Sequence, residues 1–269
     1  MIKTNHKLHM AIISALVIVM FSLSMISMND KNSIETGANI NENTKIEWGI
    51  KRNDNHEQPD VGENNKKILE ENNGICMGNN EKKYIYLTFD QGYEAGYTAN
   101  ILDTLKENEV HATFFITGHY LNTQGDLVKR MLEEGHLVGN HTINHPSITD
   151  LTEEEIKKEV MGLHQSLYEK FAYEMLFFRP PKGEFSQRTI KTINELGYKT
   201  VMWSFAYADW DESNQPNKQE AKEKIVSNVH NGEIMLLHAT SKTNSEILSD
   251  VIQEIKQMGY EFKNLDSFE

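Results

Sequence analysis

One carboxylate and two imidazoles in this sequence have the types and spacing to bind a metal ion together. Asp90 ends the apolar run Leu87–Phe89, and His141 and His145 follow about fifty residues later. Residues four apart project the same way from a helix or helical turn, and neutral imidazole is the commonest metal ligand in proteins. We therefore expect the two histidines to share one metal near Asp90, with a third ligand from elsewhere. The alternative is a pair of partly exposed histidines before Pro146.

Three further polar clusters follow apolar runs later in the chain. They contain a guanidinium, a carboxylate and another imidazole, which can hold charge and transfer protons. The clusters are Arg179-Pro180-Pro181-Lys182-Gly183, Asp209-Trp210 and Leu236-Leu237-His238. Together with the metal-binding pair they would supply both an acid and a base.

Short apolar runs alternate with helical repeats from residue 84 onward and would position these groups. The runs predict strands at 84–89, 112–116, 137–139, 176–178, 200–203, 234–237 and 260–262, and the repeats predict helices at 97–106, 125–134, 152–171, 186–196, 218–229 and 244–258. Parallel strands need long crossovers and cover on both faces, so this order predicts an α/β fold, a distorted and incomplete (β/α)7 barrel. Each polar cluster falls at the carboxyl end of a predicted strand, where such barrels place their chemistry.

The segment from about Tyr84 to Phe268 resembles the polysaccharide deacetylases with a NodB-like domain, carbohydrate esterase family 4. Five motifs in the family's order carry the resemblance: Thr88-Phe89-Asp90-Gln91-Gly92, His141-Thr142-Ile143-Asn144-His145, Arg179-Pro180-Pro181-Lys182-Gly183, Asp209-Trp210 and Leu236-Leu237-His238. Within the family the chain looks most similar to the sporulation deacetylases that act on peptidoglycan N-acetylmuramic acid and lead to muramic δ-lactam. That narrower similarity rests on Phe89-Asp90-Gln91-Gly92-Tyr93-Glu94, on Lys182 and on the run from Leu236 to Lys242.

The resemblance implies an acid and a base for hydrolysis of an acetyl amide. Asp90 corresponds to the general base, although a strand-end carboxylate can also simply cap the next helix. Arg179 corresponds to the arginine that keeps the base ionised and oriented. His238 corresponds to the general acid that protonates the leaving amine, and Asp209 to the carboxylate that raises the pKa of that imidazole.

The resemblance also implies a divalent metal held by His141 and His145. Zn²⁺ is the metal we expect, with Mn²⁺ or Co²⁺ as alternatives, because such ions activate water and polarise an acetyl oxygen. Gln91 stands where most of the family has an aspartate as third ligand, so its oxygen is a neutral one. Gln91 is therefore either the third metal ligand or a hydrogen-bond partner of the substrate.

Three residues are expected to bind substrate. Trp210 and Leu236 would form the apolar wall of the acetyl pocket, and the alternative for Trp210 is an ordinary core aromatic. The backbone N–H of Lys182 corresponds to the group that stabilises the oxyanion. Its side chain puts a cation where relatives acting on N-acetylglucosamine usually have an aromatic ring, which suits the lactyl carboxylate of muramic acid without its peptide.

The first eighty residues differ in composition from the rest. Lys3 and Lys7 precede an apolar stretch, so residues 1–28 are expected to be a signal peptide or an uncleaved membrane anchor. Residues 29–80 are rich in Asn, Glu, Lys and Asp and are expected to be a polar linker to a catalytic domain at 81–269. This organisation predicts an extracytoplasmic protein, secreted or anchored, and the resemblance implies that it acts in the cell wall or spore cortex.

Composition and charge limit the partners. A net charge of −13 disfavours nucleic acid, and the single cysteine excludes an internal disulfide. We expect peptidoglycan glycan strands as the partner, contact with the membrane only through the amino-terminal segment, and a monomer.

Three functions follow from these observations. The leading hypothesis is N-deacetylation of peptidoglycan muramic acid that lacks its peptide. The nearest alternative is deacetylation of N-acetylglucosamine, chitooligosaccharide or O-acetylated glycans. The second alternative, motivated by Gln91, is a cell-wall-binding protein without catalytic activity.

Overall fold

The computed structural model describes residues 41–269, and residues 42–269 form one compact unit. The expected signal peptide or anchor at 1–28, and the start of the expected linker at 29–40, lie outside the described residues. None of the helices in the part that the structure describes is long and apolar enough to cross a membrane.

Nine strands and eight α-helices are found within residues 41–269. The strands are β1 (Ile46–Glu47), β2 (Tyr84–Gln91), β3 (Thr113–Ile116), β4 (Leu137–Asn140), β5 (Phe177–Phe178), β6 (Glu184–Phe185), β7 (Lys199–Thr200), β8 (Glu233–His238) and β9 (Glu261–Phe262). The helices are α1 (Glu63–Glu71), α2 (Thr98–Glu107), α3 (Gly118–Thr123), α4 (Gly125–Glu133), α5 (Glu153–Phe171), α6 (Gln187–Glu195), α7 (Lys218–Asn228) and α8 (Lys242–Gln257). Short 3-10 turns lie at Ile148–Asp150, Pro181–Gly183 and Leu265–Ser267.

A parallel sheet forms the centre of the molecule. Its strands follow the order β7-β5-β4-β3-β2-β8, and β9 pairs with the start of β2. Every residue of β2 from Ile85 to Gln91 is buried. Ile85, Leu87 and Phe89 pack in the main core cluster with helix residues, whereas Tyr86 packs in a separate cluster with side chains of other strands. The register sets Asp90 of β2 directly beside His238 of β8, so two of the predicted catalytic residues meet at the carboxyl ends of their strands.

The two edges of the sheet are connected by the chain that continues from β7. The Ser204 N–H donates to the Ile234 carbonyl at 3.0 Å, and the Leu236 N–H donates to the Phe205 carbonyl at 2.8 Å. The sheet therefore curls into an irregular barrel, with backbone bonds at only a few positions along this seam. The predicted fold class, a distorted and incomplete α/β barrel, is confirmed.

The expected linker at 29–80 is wrong from residue 42 onward. β1 pairs antiparallel with β6, and α1 packs its apolar side against the domain. Trp48, Ile68 and Leu69 are buried in one cluster with Phe185 and residues of α6 and the β7 region. The polar composition concealed this packing, because a few well-spaced apolar side chains are enough to dock a segment on an existing surface.

Candidate active site

A buried ion pair joins β2 to the loop after β5. Nη1 of Arg179 lies 2.9 Å from Oδ1 of Asp90 and also donates to the Thr88 hydroxyl at 2.9 Å. Burial raises the pKa of the Asp90 carboxyl, but Arg179 together with His141 and His238 more than offsets this and lowers that pKa below its usual value. Asp90 is therefore an ionised carboxylate, which a general base must be.

Arg179 is held through its Nε and Nη1 atoms and by two aromatic rings, while its Nη2 is buried without a hydrogen-bond partner in the described part of the chain. Its side chain has no solvent exposure, and its Nε donates to the Val201 carbonyl at 3.1 Å. The guanidinium carbon lies 4.2 Å from the centre of the Phe115 ring and 5.7 Å from that of Trp203. Burial lowers the pKa of the guanidinium, and Asp90 opposes that effect. Its rigid setting fixes the carboxylate that it pairs with.

The two histidines of the predicted metal pair meet at their ring nitrogens. Nε2 of His141 lies 3.1 Å from Nε2 of His145 and 3.7 Å from Oδ2 of Asp90. The His141 Nδ1–H donates to the Arg179 carbonyl at 2.8 Å, so the neutral ring turns its Nε2 lone pair toward His145. Burial lowers the pKa of His141, and burial and His141 lower the pKa of His145 to about 4. Two neutral imidazoles with converging nitrogens fit a divalent metal.

The expected helical turn between these histidines is wrong. His141 follows β4 directly, and the chain reaches His145 through a loop in which Thr142 and His145 have left-handed backbone angles, with φ of 69° and 58°. The Thr142 hydroxyl accepts the His145 N–H at 2.9 Å and stabilises the loop. A tight loop thus brings together two side chains that we expected a helix to align.

Gln91 is buried and held by a chain of hydrogen bonds. Its Nε2 donates to the Thr98 hydroxyl at 3.0 Å and to the Tyr120 hydroxyl at 3.3 Å, while Tyr120 donates to Glu94 at 3.0 Å. Because Tyr120 gives its only proton to Glu94, it must accept from the amide nitrogen, which fixes the orientation of the amide. Oε1 of Gln91 is buried without a hydrogen-bond partner in the described part of the chain, so it can accept a bond from a cation or from water. Within residues 41–269 no three His, Cys, Asp or Glu side chains form a metal-binding group.

The predicted acid and its carboxylate partner form a second pair, in which Asp209 is fully buried and His238 is partly buried. Nδ1 of His238 lies 2.7 Å from Oδ1 of Asp209, and the His238 backbone N–H donates to Oδ2 at 2.8 Å. The Asn244 side-chain NH2 donates to the same Oδ2 at 2.6 Å, and the Tyr207 hydroxyl donates to the side-chain Oδ1 of Asn244. Burial lowers the pKa of His238, but its bond to Asp209 and the charge there dominate, so that pKa is raised. The arrangement holds a proton on His238.

A cavity of about 1140 Å³ connects these groups, and its wall includes Asp90, His141, His145 and His238 together with all three predicted substrate-binding residues. Leu236 is buried in the wall, whereas Trp210 is 56% exposed and its ring centre lies 5.9 Å from that of His238. A core role for Trp210 is therefore excluded. Lys182 is exposed and has a left-handed backbone, with φ of 59°.

The chain is similar in sequence and in structure to known proteins. The sequence profile of the family described as polysaccharide deacetylase matches residues 77–201. The Bacillus subtilis peptidoglycan-N-acetylmuramic acid deacetylase PdaA is 43% identical over 225 residues, which cover 83% of this chain and 86% of that protein. This chain belongs to the polysaccharide deacetylase family. The solved structure of PdaA, described as a family 4 carbohydrate esterase, superposes with a TM-score of 0.82 at 42% identity and covers 84% of this chain and 97% of that one. A Bacillus cereus peptidoglycan-N-acetylglucosamine deacetylase is 36% identical over 186 residues, 68% of this chain and 86% of that protein.

The predicted enzyme class, a polysaccharide deacetylase that hydrolyses an amide bond, is confirmed by this membership.

Sequence reasoning assigned no role in the site to Tyr93, Trp203 and Asn244. Tyr93 and Trp203 line the cavity, and Asn244 holds Asp209. Tyr93 directly follows the Asp90 motif and Trp203 ends an apolar run, so the sequence pattern could have indicated both as residues of the site. Asn244 lies in a helical repeat that gave no such signal.

Proposed function

We propose that this deacetylase removes the N-acetyl group from peptidoglycan N-acetylmuramic acid that lacks its peptide, as a step toward muramic δ-lactam in spore cortex. The observation that carries the proposal is the pair of oppositely tuned groups on one cavity, the ionised Asp90 and the protonated His238 on adjacent strands. Amide hydrolysis needs a base to activate water and an acid to protonate the amine, so neighbouring groups with opposed pKa shifts assign the two roles.

In this mechanism Asp90 takes a proton from the attacking water while Arg179 holds its other oxygen. The backbone N–H of Lys182 stabilises the oxyanion that forms on the acetyl group. His238 then gives its proton to the departing nitrogen, and the buried Asp209 stabilises the positive charge on the ring until that transfer. Trp210 and Leu236 enclose the acetyl methyl group.

The metal that the family implies would be held by His141 and His145, and Gln91 would be either its third ligand or a hydrogen-bond partner of the substrate. When bound it would supply Lewis-acid polarisation and lower the pKa of water. We propose Zn²⁺, with Mn²⁺ or Co²⁺ as alternatives. Oε1 of Gln91 is buried without a hydrogen-bond partner within residues 41–269, which leaves it available for either role, although Gln91 does not line the cavity beside the two histidines.

Lys182 would select the substrate. Its ammonium group is exposed at the cavity wall, where it can pair with the lactyl carboxylate, and an attached peptide would remove that negative charge. The product then holds a free amine close to a carboxylate on the same sugar, which favours ring closure to the lactam by effective molarity.

The enzyme would act outside the cytoplasmic membrane as a monomer on glycan strands, with contact to membrane only through residues 1–28. The rival substrate, N-acetylglucosamine, is supported by the 36% identical relative that carries that sugar in its name. A purely binding role gains no support, because a binding protein has no need of both a base and an acid.

The test is acetate release by the purified full chain from glycan strands with and without peptides, with Zn²⁺, Mn²⁺, Co²⁺ or chelator. We expect metal-dependent release from peptide-free muramic glycan only. Release from glucosamine polymers would move the assignment to the rival substrate, and no release with any metal would favour the binding protein.

A matched pair of variants tests substrate choice. Lys182→Tyr should lose activity on muramic substrates far more than on glucosamine substrates, whereas Lys182→Arg keeps the charge and should retain the preference. Equal losses on both sugars would contradict the assignment of Lys182.

A further inference from the structure

We propose that Trp48 is a positioning residue that holds the Lys182–Gly183 turn in its catalytic geometry. Trp48 lies outside the family profile match, which begins at residue 77, and in the segment whose composition predicts a linker. The inference rests on the proposed function, because it gives the Lys182 backbone N–H its role at the oxyanion.

Two hydrogen bonds tie Trp48 to the wall of the cavity. Its backbone N–H donates to the Gly183 carbonyl at 2.9 Å, and its indole Nε1–H donates to the Trp203 carbonyl at 2.9 Å. Trp48 is only 8% exposed, so both bonds are shielded from water. The residue thus bridges the turn after the two prolines and the strand extension that closes the barrel.

Gly183 shows how tightly the turn is enclosed. Its backbone is left-handed, with φ of 68°, and a Cβ added there would lie 2.7 Å from the Trp203 ring and 3.3 Å from Cβ of Trp48. Lys182, the residue before it, is left-handed as well. A left-handed lysine is unfavourable in a free chain, whereas glycine adopts this conformation readily, so surrounding contacts must maintain Lys182 in this turn. Trp48 and Trp203 supply those contacts on either side.

Pairing between β1 and β6 extends the support past the turn. Glu47 is paired with Glu184, and Lys45 forms an ion pair with Glu184 at 3.1 Å. The guanidinium carbon of Arg179 lies 5.7 Å from the centre of the Trp203 ring. Trp48 therefore holds the backbone of Trp203, whose ring contacts both the oxyanion turn and the arginine of the base.

The experiment combines hydrogen exchange and steady-state kinetics on the full chain with Trp48→Phe and Trp48→Ala. The phenylalanine variant keeps an aromatic ring and the backbone N–H bond, but it removes the indole N–H together with part of the ring volume. The control is Leu69→Ala, which opens the same apolar cluster from α1. Exchange is followed in peptides that cover residues 180–186, and kcat and KM are measured separately for acetate release.

We expect faster exchange at residues 180–186 in both Trp48 variants, and a kcat about tenfold lower in Trp48→Phe with KM within about twofold. Leu69→Ala should leave both the exchange there and kcat near the wild-type values. Unchanged exchange in both Trp48 variants, unchanged kcat despite faster exchange, or a control that reproduces the loss would each overturn the proposal. If the wild-type chain releases no acetate, the proposed function fails, and exchange alone then decides whether Trp48 holds the turn.

Discussion

Replacement of Asp209 by asparagine isolates the charge that keeps His238 protonated. Asp209 is fully buried and accepts three hydrogen bonds, from the ring and backbone of His238 and from Asn244. Asparagine has the same shape, but only one of its two terminal atoms can accept. If its oxygen stays with the two N–H donors at the Oδ2 position, its NH2 group faces Nδ1 of His238. The imidazole must then become neutral there, with its proton on Nε2.

The size of the effect follows from the type of bond that is lost. A hydrogen bond to a charged group contributes about 1.5–3 kcal/mol, which corresponds to a loss of about 10- to 150-fold in kcat. The sign of the pH effect follows from the opposing influences on His238. Asp209 raises the pKa of His238 against burial, so the protonated acid is present below that pKa and is lost as pH rises through it. Without the negative charge burial dominates, the pKa falls, and the alkaline limb of the activity profile moves to lower pH.

The measurement is the pH dependence of kcat for acetate release by Asp209→Asn. Asn244→Ala is the control, because it removes one donor to Asp209 and leaves the carboxylate in place. We expect the control to keep its alkaline limb close to that of the wild type. An alkaline limb that stays in place in Asp209→Asn, with kcat within about threefold, would refute the assignment of His238 as the acid.

Three further perturbations have clear expected outcomes. Arg179→Lys keeps a positive charge but loses the three hydrogen bonds of the buried guanidinium. We therefore expect kcat to fall by at least about 100-fold in steady-state kinetics and the melting temperature to drop in calorimetry. A chain from which residues 42–80 are deleted should aggregate or unfold, which circular dichroism would detect. The deletion exposes the apolar cluster under β1 and α1 and lowers the free energy of unfolding by roughly 5 kcal/mol or more. A folded, active product would contradict the packing described above. Gly183→Ala should lower the free energy of unfolding by about 1–2 kcal/mol through backbone strain, and by more through a clash with the Trp203 ring. Gly197→Ala is the control, because its backbone is also left-handed but no atom lies within 4 Å of the added Cβ. Thermal unfolding should therefore show a smaller loss for Gly197→Ala than for Gly183→Ala.

Local sequence patterns were enough for most of the fold. The helix predicted at 152–171 is found as α5, and it begins with a capping box in which Thr152 and Glu155 satisfy each other's backbone donors. The predicted strand at 84–89 is found as β2 with two more residues. Such signals are local, because apolar spacing and helix caps act within a few residues of each other.

The site was predictable to the extent that strand ends meet at one edge of a parallel sheet. That rule brought Asp90, Arg179 and His238 together correctly. It could not give the loop geometry of His145, which depends on left-handed backbone angles that ordinary residues rarely adopt. It also could not reveal the docking of Trp48, because that contact joins residues 155 positions apart and depends on surfaces that only the finished fold creates.

The position of β2 in the sheet has a consequence for the order in which the chain can fold. One neighbour, β3, follows β2 after a single crossover, but the other, β8, lies far along the chain, and the Thr88 hydroxyl bonds the Met235 carbonyl across 147 positions. Until β8 is available, the central strand has an open edge of unpaired backbone groups. Pairing over such a distance is slow, because loop closure must precede it. The same late step places His238 beside Asp90, so acid and base become neighbours only when the sheet acquires its last long strand.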